Sequence, residues 1–317
     1  MDSTVLSESK LNVYGALTAK IMHAMKDAKG TYKMPWHSPV VANDLPTNTA
    51  TNHVYRGANV LSLWIDAIAK GFPTGFWATY KQWQSLGVQV RYRERGSLIV
   101  FYRQFELSEE EKEAGTRARS MARASWVFNA AQVENWTPPE PAQRSTVETD
   151  EKVEAFVQAV GAEIAHGYPM AQYRIDVDRI EMPNPEWFVG TETQPASEAY
   201  YATLLHELTH WTGAERRIAR EIGKRHGAQA YAFEELIAEL GAAFMCATFG
   251  LANEPRQDHA AYVATWLEVL NNDTRAIFRA ASRAQEAVEY LGNLAAEKLS
   301  RVEATPTAAV ADDTSEY

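Results

Sequence analysis

His206-Glu207-Leu208-Thr209-His210 is an H-E-x-x-H pentad inside a run, Glu198 to Thr212, that reads as helix. Residues four apart on a helix share a face, so the two imidazoles can aim at one point. A Zn²⁺ ion there would take two ring nitrogens at about 2.0–2.1 Å. Glu207 lies one step round the helix, within reach of a water on that ion, and is the expected catalytic base of a peptide-hydrolysing centre. Ser197 is a candidate N-cap, Glu198 places negative charge in the first turn, and Gly213 can end the helix in a left-handed conformation.

A third ligand is expected from a second helix. Tyr231 to Phe244 reads as strongly helical, and Glu235 and Glu239 lie four apart on one face. Glu235 follows His210 by 25 residues, enough for a turn and an antiparallel return. Ala238, Gly241, Ala242 and Ala243 are small, which lets two helices approach closely around an ion. Glu234 falls on a different part of the helix. The E-x-x-A-E pattern resembles the second helix of glutamate-ligand zincins. That resemblance implies Glu235 as the metal ligand and Glu239 as the carboxylate accepting the free ring N–H of a ligating histidine. Other divalent ions, Mn²⁺ among them, suit the same donors. Tyr231 and His259 are candidates for stabilising the oxyanion.

The length, 317 residues, points to two domains. The pattern of elements predicts an α+β chain, with a small α+β N-terminal domain followed by a mostly helical one. No apolar run approaches the ~18–20 residues of a membrane span, so no membrane partner is expected. The N-terminus lacks the basic and apolar regions of a secretory signal. One cysteine, Cys246, rules out an intramolecular disulfide and fits a reducing cytoplasm. The net charge is −10, yet residues 1–105 carry 12 Lys and Arg against 6 Asp and Glu, and the remainder 19 against 35. The acidic average therefore hides a basic module.

Residues 4–28 and 56–70 read as amphipathic helices, 76–78 as a strand and 80–86 as a short helix ended by Gly87. Val88–Tyr92 and Leu98–Tyr102 alternate around Glu94-Arg95-Gly96, which predicts a hairpin. The polar run 108–117 reads as loop or solvated helix. The Pro-rich stretch beginning at Thr137 reads as a linker. The expected division is 1–136, a linker at 137–150, a domain at 151–303 and a disordered tail at 304–317. The second domain should hold a helix at 151–165, strands near 173–182, the two metal-site helices, and helices near 259–271 and 274–298.

Aromatic and basic residues interleave in the N-terminal module, as they do in single-strand binders that stack bases beside a cationic groove. The candidates are Trp36, Tyr55, Arg56, Trp77, Tyr80, Lys81, Trp83, Arg91 and Arg93, and Trp64 has the spacing of a core residue. Arg95 to Tyr102 fits part of an RNA-recognition consensus, but Ser97 and Ile99 occupy the stacking positions, so that fold is not indicated.

With both halves read, the chain resembles the ArdC-type antirestriction proteins of conjugative plasmids over nearly its whole length. Pro35-Trp36-His37, the stretch Tyr55 to Trp64 and Trp77 to Gln82 carry the likeness in the first half. Tyr200 to Gly213 and Glu234 to Phe244 carry it in the second. Two departures are Ala58, where a branched aliphatic residue is expected, and Asn52-His53, in place of a Gly-containing turn. The resemblance implies a single-stranded-DNA-binding domain, to which Asn59 of the motif is added as a contact, and a zincin-like metallopeptidase domain. It also implies protection of incoming plasmid DNA and a protein substrate, with a component of the host restriction system as one candidate. The N-terminal family is shared with TraC-type plasmid primases, so a primase accessory role is an alternative. A DNA-coating protein with a purely structural metal is another. The acidic half is not expected to bind DNA, so the two activities are expected to run independently.

Overall fold

The computed structural model describes residues 12–27, 34, 36–37, 45–105, 119–137, 139, 146–220, 227–255 and 260–303. The expected tail, half of the expected linker, the run 108–117 and His259 lie outside the described residues. Two units emerge, as the element pattern predicted. In the first, α1 (Val13–Asp27) and α2 (Ala58–Lys70) lie against a four-stranded sheet. The sheet comprises β1 (Thr47–Asn48), β2 (Phe76–Thr79), β3 (Ser97–Phe105) and β4 (Arg119–Asn129), in the order β1-β2-β4-β3. Gly71 closes α2 in the left-handed region at φ 65°, where a side chain would be strained. The short helix α3 (Tyr80–Ser85) starts in a capping box between Thr79 and Gln82.

The predicted hairpin is corrected. Leu98–Tyr102 pairs with β4, from Leu98 opposite Trp126 to Tyr102 opposite Ala122, not with Val88–Tyr92. The segment before β3 instead meets the chain after β4: Val90 bridges Val133, and the Arg91 N–H donates to the Gln132 carbonyl. Arg93 at φ 66° turns the chain between the two. An eleven-residue strand offers β3 more ladder bonds than a five-residue one, and sequence proximity does not outweigh that.

The second unit begins at α4 (Thr146–Val160), five residues earlier than expected, inside the predicted linker. Gly161 at φ 70° ends it and releases β5 (Glu163–His166), so the helix expected to reach 165 stops short. With β6 (Gln172–Arg174) and β7 (Arg179–Met182) this makes a three-stranded sheet, order β5-β7-β6, which leaves β6 at an edge. Among the described residues four α-helices follow: α5 (Ala196–Thr212), α6 (Ala228–Phe249), α7 (Ala260–Asn272) and α8 (Ala276–Glu303). Ser197 lies inside α5, which opens after Pro195, and Gly213 ends it at φ −76°, in the right-handed region.

The two units share a core. One apolar cluster runs from Leu17, Trp36, Leu61 and Trp64 into Leu236, Leu240, Phe244, Trp266 and Ala281. Helix α6 is its spine, buried almost continuously from Ala232 to Ala247. A second cluster packs α4 and the small sheet against Leu204, Leu205 and Leu208 of α5.

Candidate metal centre

Helices α5 and α6 bring their polar residues together because nothing large separates them. Gly241 faces Thr209 so closely that an added Cβ would sit 2.6 Å from the threonine methyl and hydroxyl. Thr209 itself is fully buried, its hydroxyl donating to the Leu205 carbonyl one turn back at 2.9 Å. This close approach sets the distance between the helix that carries the pentad and the helix that carries the acids.

His206 Nε2 and His210 Nε2 lie 3.1 Å apart. The two oxygens of Glu235 stand 3.6 Å from them, Oε2 from His206 and Oε1 from His210. Among the described residues these three make a group whose ligand atoms all fall within 4.8 Å of one another. Two nitrogens bound tetrahedrally at 2.0–2.1 Å would be about 3.3–3.4 Å apart, close to the spacing here. The donor set, two imidazoles and a carboxylate, is that of a catalytic zinc-type site. The predicted ligand trio therefore converges. The exposures are 2% for His206, 8% for His210, 4% for Glu207 and 5% for Glu235, so the centre is nearly enclosed.

Charge is concentrated accordingly. Burial alone disfavours a charged His210, but the carboxylates of Glu235, Glu234 and Glu207 outweigh it and push its pKa up to about 10. Burial likewise favours a neutral Glu235, and the two histidines reverse this and hold it well below the usual carboxylate range. Such groups compete for protons now and for a cation when one binds.

The supporting shell departs from expectation at one residue. His210 Nδ1 donates to Glu234 Oε1 at 3.2 Å, so Glu234, expected to point elsewhere, orients this histidine. Buried Arg220 holds Glu234 in turn, with Nη2 to Oε1 at 2.7 Å and Nε to Oε2 at 3.0 Å. Arg220 also donates to the Thr209 carbonyl at 2.6 Å and the Thr212 hydroxyl at 2.8 Å, which ties the end of α5 to the start of α6. No sequence signal marked Arg220, because its partners lie 8 to 14 residues away with no helical period between them. Glu239 faces His206, with Oε1 3.6 Å from Nδ1. Tyr231 hydrogen-bonds Glu235 and Tyr262, and burial together with the Glu235 charge raises its hydroxyl.

Four of the ten predicted DNA contacts are corrected by their burial. Trp36, Trp77, Trp83 and Tyr55 are buried, so no ring face is open to a base. Trp83 donates its indole N–H to the Phe128 carbonyl at 3.0 Å. Asn59 uses both ends of its amide on Val100, accepting at 2.8 Å and donating at 2.9 Å. Arg56 pairs with Glu289, and the Arg91 guanidinium bonds the Val133 and Ala131 carbonyls and Glu94. Arg56, Tyr80, Lys81, Arg91 and Arg93 nevertheless remain exposed. Sequence reading missed Trp126, which is 52% exposed and sits two residues from Phe128 on one face of β4. Tyr80, 41% exposed, packs edge-on against Phe128 at 6.4 Å, which extends an aromatic strip. Gly96 lies beneath it, where an added Cβ would come within 3.2 Å of Trp126 and 3.3 Å of Phe128. No helix among the described residues is long and apolar enough to cross a membrane.

Comparison with known proteins follows the same division. A family model described as the N-terminal domain of anti-restriction factor ArdC matches residues 11–133, and one described as a zincin-like metallopeptidase matches 151–283. The uncharacterized protein y4eC of Sinorhizobium fredii (strain NBRC 101917 / NGR234) is 40% identical over 290 residues, covering 90% of this chain and 92% of that one. Two Escherichia coli proteins named DNA primase TraC are 31% and 30% identical over 90% of this chain, which spans only 20% and 27% of their lengths. The crystal structure of antirestriction ArdC protein from R388 plasmid, metal-free, matches with TM-score 0.72 at 34% identity, over 90% of this chain and 98% of that one. Its Mn(II)-bound structure matches with TM-score 0.71 at 35% identity, over 89% and 98%.

Proposed function

For a chain that belongs to the ArdC family of antirestriction proteins, we propose two linked activities: binding of single-stranded DNA without sequence preference, and hydrolysis of a peptide bond at the α5–α6 centre. Together they would protect incoming plasmid DNA from restriction. The observation that carries the enzymatic part is the meeting of His206, His210 and Glu235 beside a buried Glu207.

His206 Nε2, His210 Nε2 and a Glu235 oxygen would hold the ion, with Zn²⁺ the expected occupant. The Mn(II)-bound relative supports a site of broader divalent preference. A divalent cation supplies Lewis acidity and lowers the pKa of a bound water. Glu207 then accepts a proton from the attacking water on a carboxylate oxygen and returns it to the leaving amine. Glu234 and Arg220 keep His210 Nδ1 protonated, so its Nε2 lone pair stays available. Tyr231, beside Glu235, is the candidate donor to the oxyanion. An extended peptide would pair with edge strand β6, along a groove of about 1300 Å³ lined by Tyr173, Asp178, Trp211 and Arg220.

For DNA, the aromatic strip Tyr80–Phe128–Trp126 with Lys81 and Arg93 replaces the buried tryptophans as the stacking platform. Trp126→Ala is expected to weaken single-strand binding by about 1–3 kcal/mol with melting temperature unchanged. Undiminished binding would show that bases stack elsewhere. Metal analysis of the purified protein should find about one divalent ion, lost in His210→Ala. Glu207→Gln should retain ion and DNA and lose peptide cleavage. The near-complete enclosure of the centre favours a second reading, in which the ion only braces the fold. That reading wins if Glu207→Gln protects DNA as well as the unaltered protein does.

A further inference from the structure

The ligands and their supports named so far all come from the second unit. We propose that the first unit contributes His37 as a positioning residue: by holding Glu239, it fixes the tautomer in which His206 offers Nε2 to a divalent cation. The inference rests on the metal-centre reading and extends it to the N-terminal half.

The hydrogen bonds decide each proton's place in sequence. The Met34 backbone N–H donates to His37 Nδ1 at 3.2 Å, so Nδ1 is an acceptor and carries no hydrogen. The ring's hydrogen is therefore on Nε2, which points at Glu239 Oε2 at 3.3 Å. Both groups are buried, His37 with 1% of its surface exposed. Glu239 then has its other oxygen, Oε1, facing His206 Nδ1 at 3.6 Å. That nitrogen is buried and has no hydrogen-bond partner among the described residues. A hydrogen on Nδ1, drawn toward Oε1, leaves the lone pair on Nε2, the atom that faces His210 and Glu235. A small rotation of either side chain closes 3.6 Å to a hydrogen bond, and coordination of the ring by a cation supplies the reason to make it.

The turn that carries His37 is anchored independently of the centre. The His37 N–H donates to the Met34 carbonyl at 2.8 Å, the Trp36 ring packs on Trp266 at 6.4 Å, and the Trp36 carbonyl accepts from Asn253 at 3.3 Å. The imidazole is thus held from behind by backbone and indole contacts and serves Glu239 as a fixed donor. Ion affinity should consequently depend on a residue that lies 202 positions from Glu239 in sequence.

The test uses the full chain and Zn²⁺ in competition with a chromophoric chelator. His37→Leu removes the donor at similar volume and should weaken Zn²⁺ binding at least about tenfold. His37→Gln keeps an N–H near the Nε2 position and should stay within about threefold of the unaltered protein. Melting in excess chelator separates the two effects, since packing loss lowers both variants alike. A long-range ¹H–¹⁵N spectrum of the unaltered protein gives a readout that needs no variant. It should show His37 with hydrogen on Nε2 and, after Zn²⁺ addition, His206 with hydrogen on Nδ1. Zn²⁺ binding by His37→Leu equal to the unaltered protein, or a His37 hydrogen on Nδ1, overturns the proposal while the metal centre stands. An unaltered protein that takes up no Zn²⁺ overturns the centre and this proposal with it.

Discussion

Gly241→Ala tests whether the α5–α6 distance is what builds the centre. The new Cβ would lie 2.6 Å from both Cγ2 and Oγ1 of Thr209 and 3.2 Å from its Cβ. Ordinary carbon contacts begin near 3.5 Å, so the gap must open by about 0.9 Å. Turning Thr209 about χ1 gives no relief, since either branch meets the methyl. The helices must separate, and they carry His206 and His210 on one side and Glu235 on the other. Metal–ligand distances tolerate about 0.2 Å, so Zn²⁺ affinity should fall at least tenfold. In the ligand-free protein two terms oppose. Alanine gains about 0.5–1 kcal/mol over glycine in a helix, and overpacking costs about 1–3 kcal/mol, so a net loss of roughly 0.5–2 kcal/mol is expected.

Urea unfolding in chelator and Zn²⁺ competition measure both quantities. Thr209→Ala supplies the control, because it removes both clashing atoms and leaves only a 3.2 Å contact that neighbours can absorb. The double variant should therefore recover most of the affinity, with a coupling of about 1–2 kcal/mol in stability. If Gly241→Ala instead gains the full helical increment and binds Zn²⁺ unchanged, the close approach is not a constraint and the reasoning fails.

Arg220→Met should cost about 3–5 kcal/mol in urea unfolding, because it strands the buried Glu234 carboxylate; a loss below about 1 kcal/mol would contradict the clamp. In chelator, stability should also respond to pH through His210, whose pKa burial would lower but neighbouring carboxylates raise to about 10. A raised folded-state pKa gives a contribution complete below the ordinary histidine value of about 6.5 and fading as pH climbs toward the folded value. Melting temperature should accordingly fall from pH 7 to 10, with a shallower slope in His210→Gln, and equal slopes would refute it. Cys246 is fully buried, and burial pushes its thiol well above the ordinary range. A thiol-reactive disulfide reagent should label it only as fast as the protein unfolds, and rapid labelling of the native protein would show an opening that the packing does not contain.

How much of this could be read in the chain depends on how far each interaction reaches. The convergence of His206, His210 and Glu235 was legible because helical period places His206 with His210, and because the likeness to glutamate-ligand zincins singles out Glu235 on a second helix. Glu234 was not, since its role depends on Arg220, and no periodicity relates a turn residue to a helix that begins eight positions later. The tryptophans misled for a chemical reason. A ring that stacks on a base and a ring that fills a core have the same composition signal, and only the partner decides. Trp83 is covered by Trp136 at 5.4 Å and Trp77 by Phe72 at 5.8 Å, while Trp126 stays 52% exposed. Strand pairing failed similarly: Val88–Tyr92 alternates well, but the winning partner of β3 lies beyond a stretch that local alternation cannot see across.

The basic and acidic halves invited the expectation that two modules act separately, and the packing argues against it. Leu17, Trp36 and Trp64 from the first unit bury against Leu236, Phe244, Trp266 and Ala281 from the second. Each large side chain of this kind is worth about 1.5–3 kcal/mol when removed from water, so parting the units would cost an amount comparable with a domain's whole marginal stability of about 5–15 kcal/mol. Helix α6 carries Glu235 and Glu239 on one side of that same core, and α2 carries Ser62, whose hydroxyl donates to the Leu98 carbonyl of β3 at 2.7 Å. A load placed on the aromatic strip of β4 therefore reaches the metal helices through rigid, continuously packed elements, not across a flexible joint. Charge asymmetry separates the two halves by composition, and the shared core joins them in one packed body.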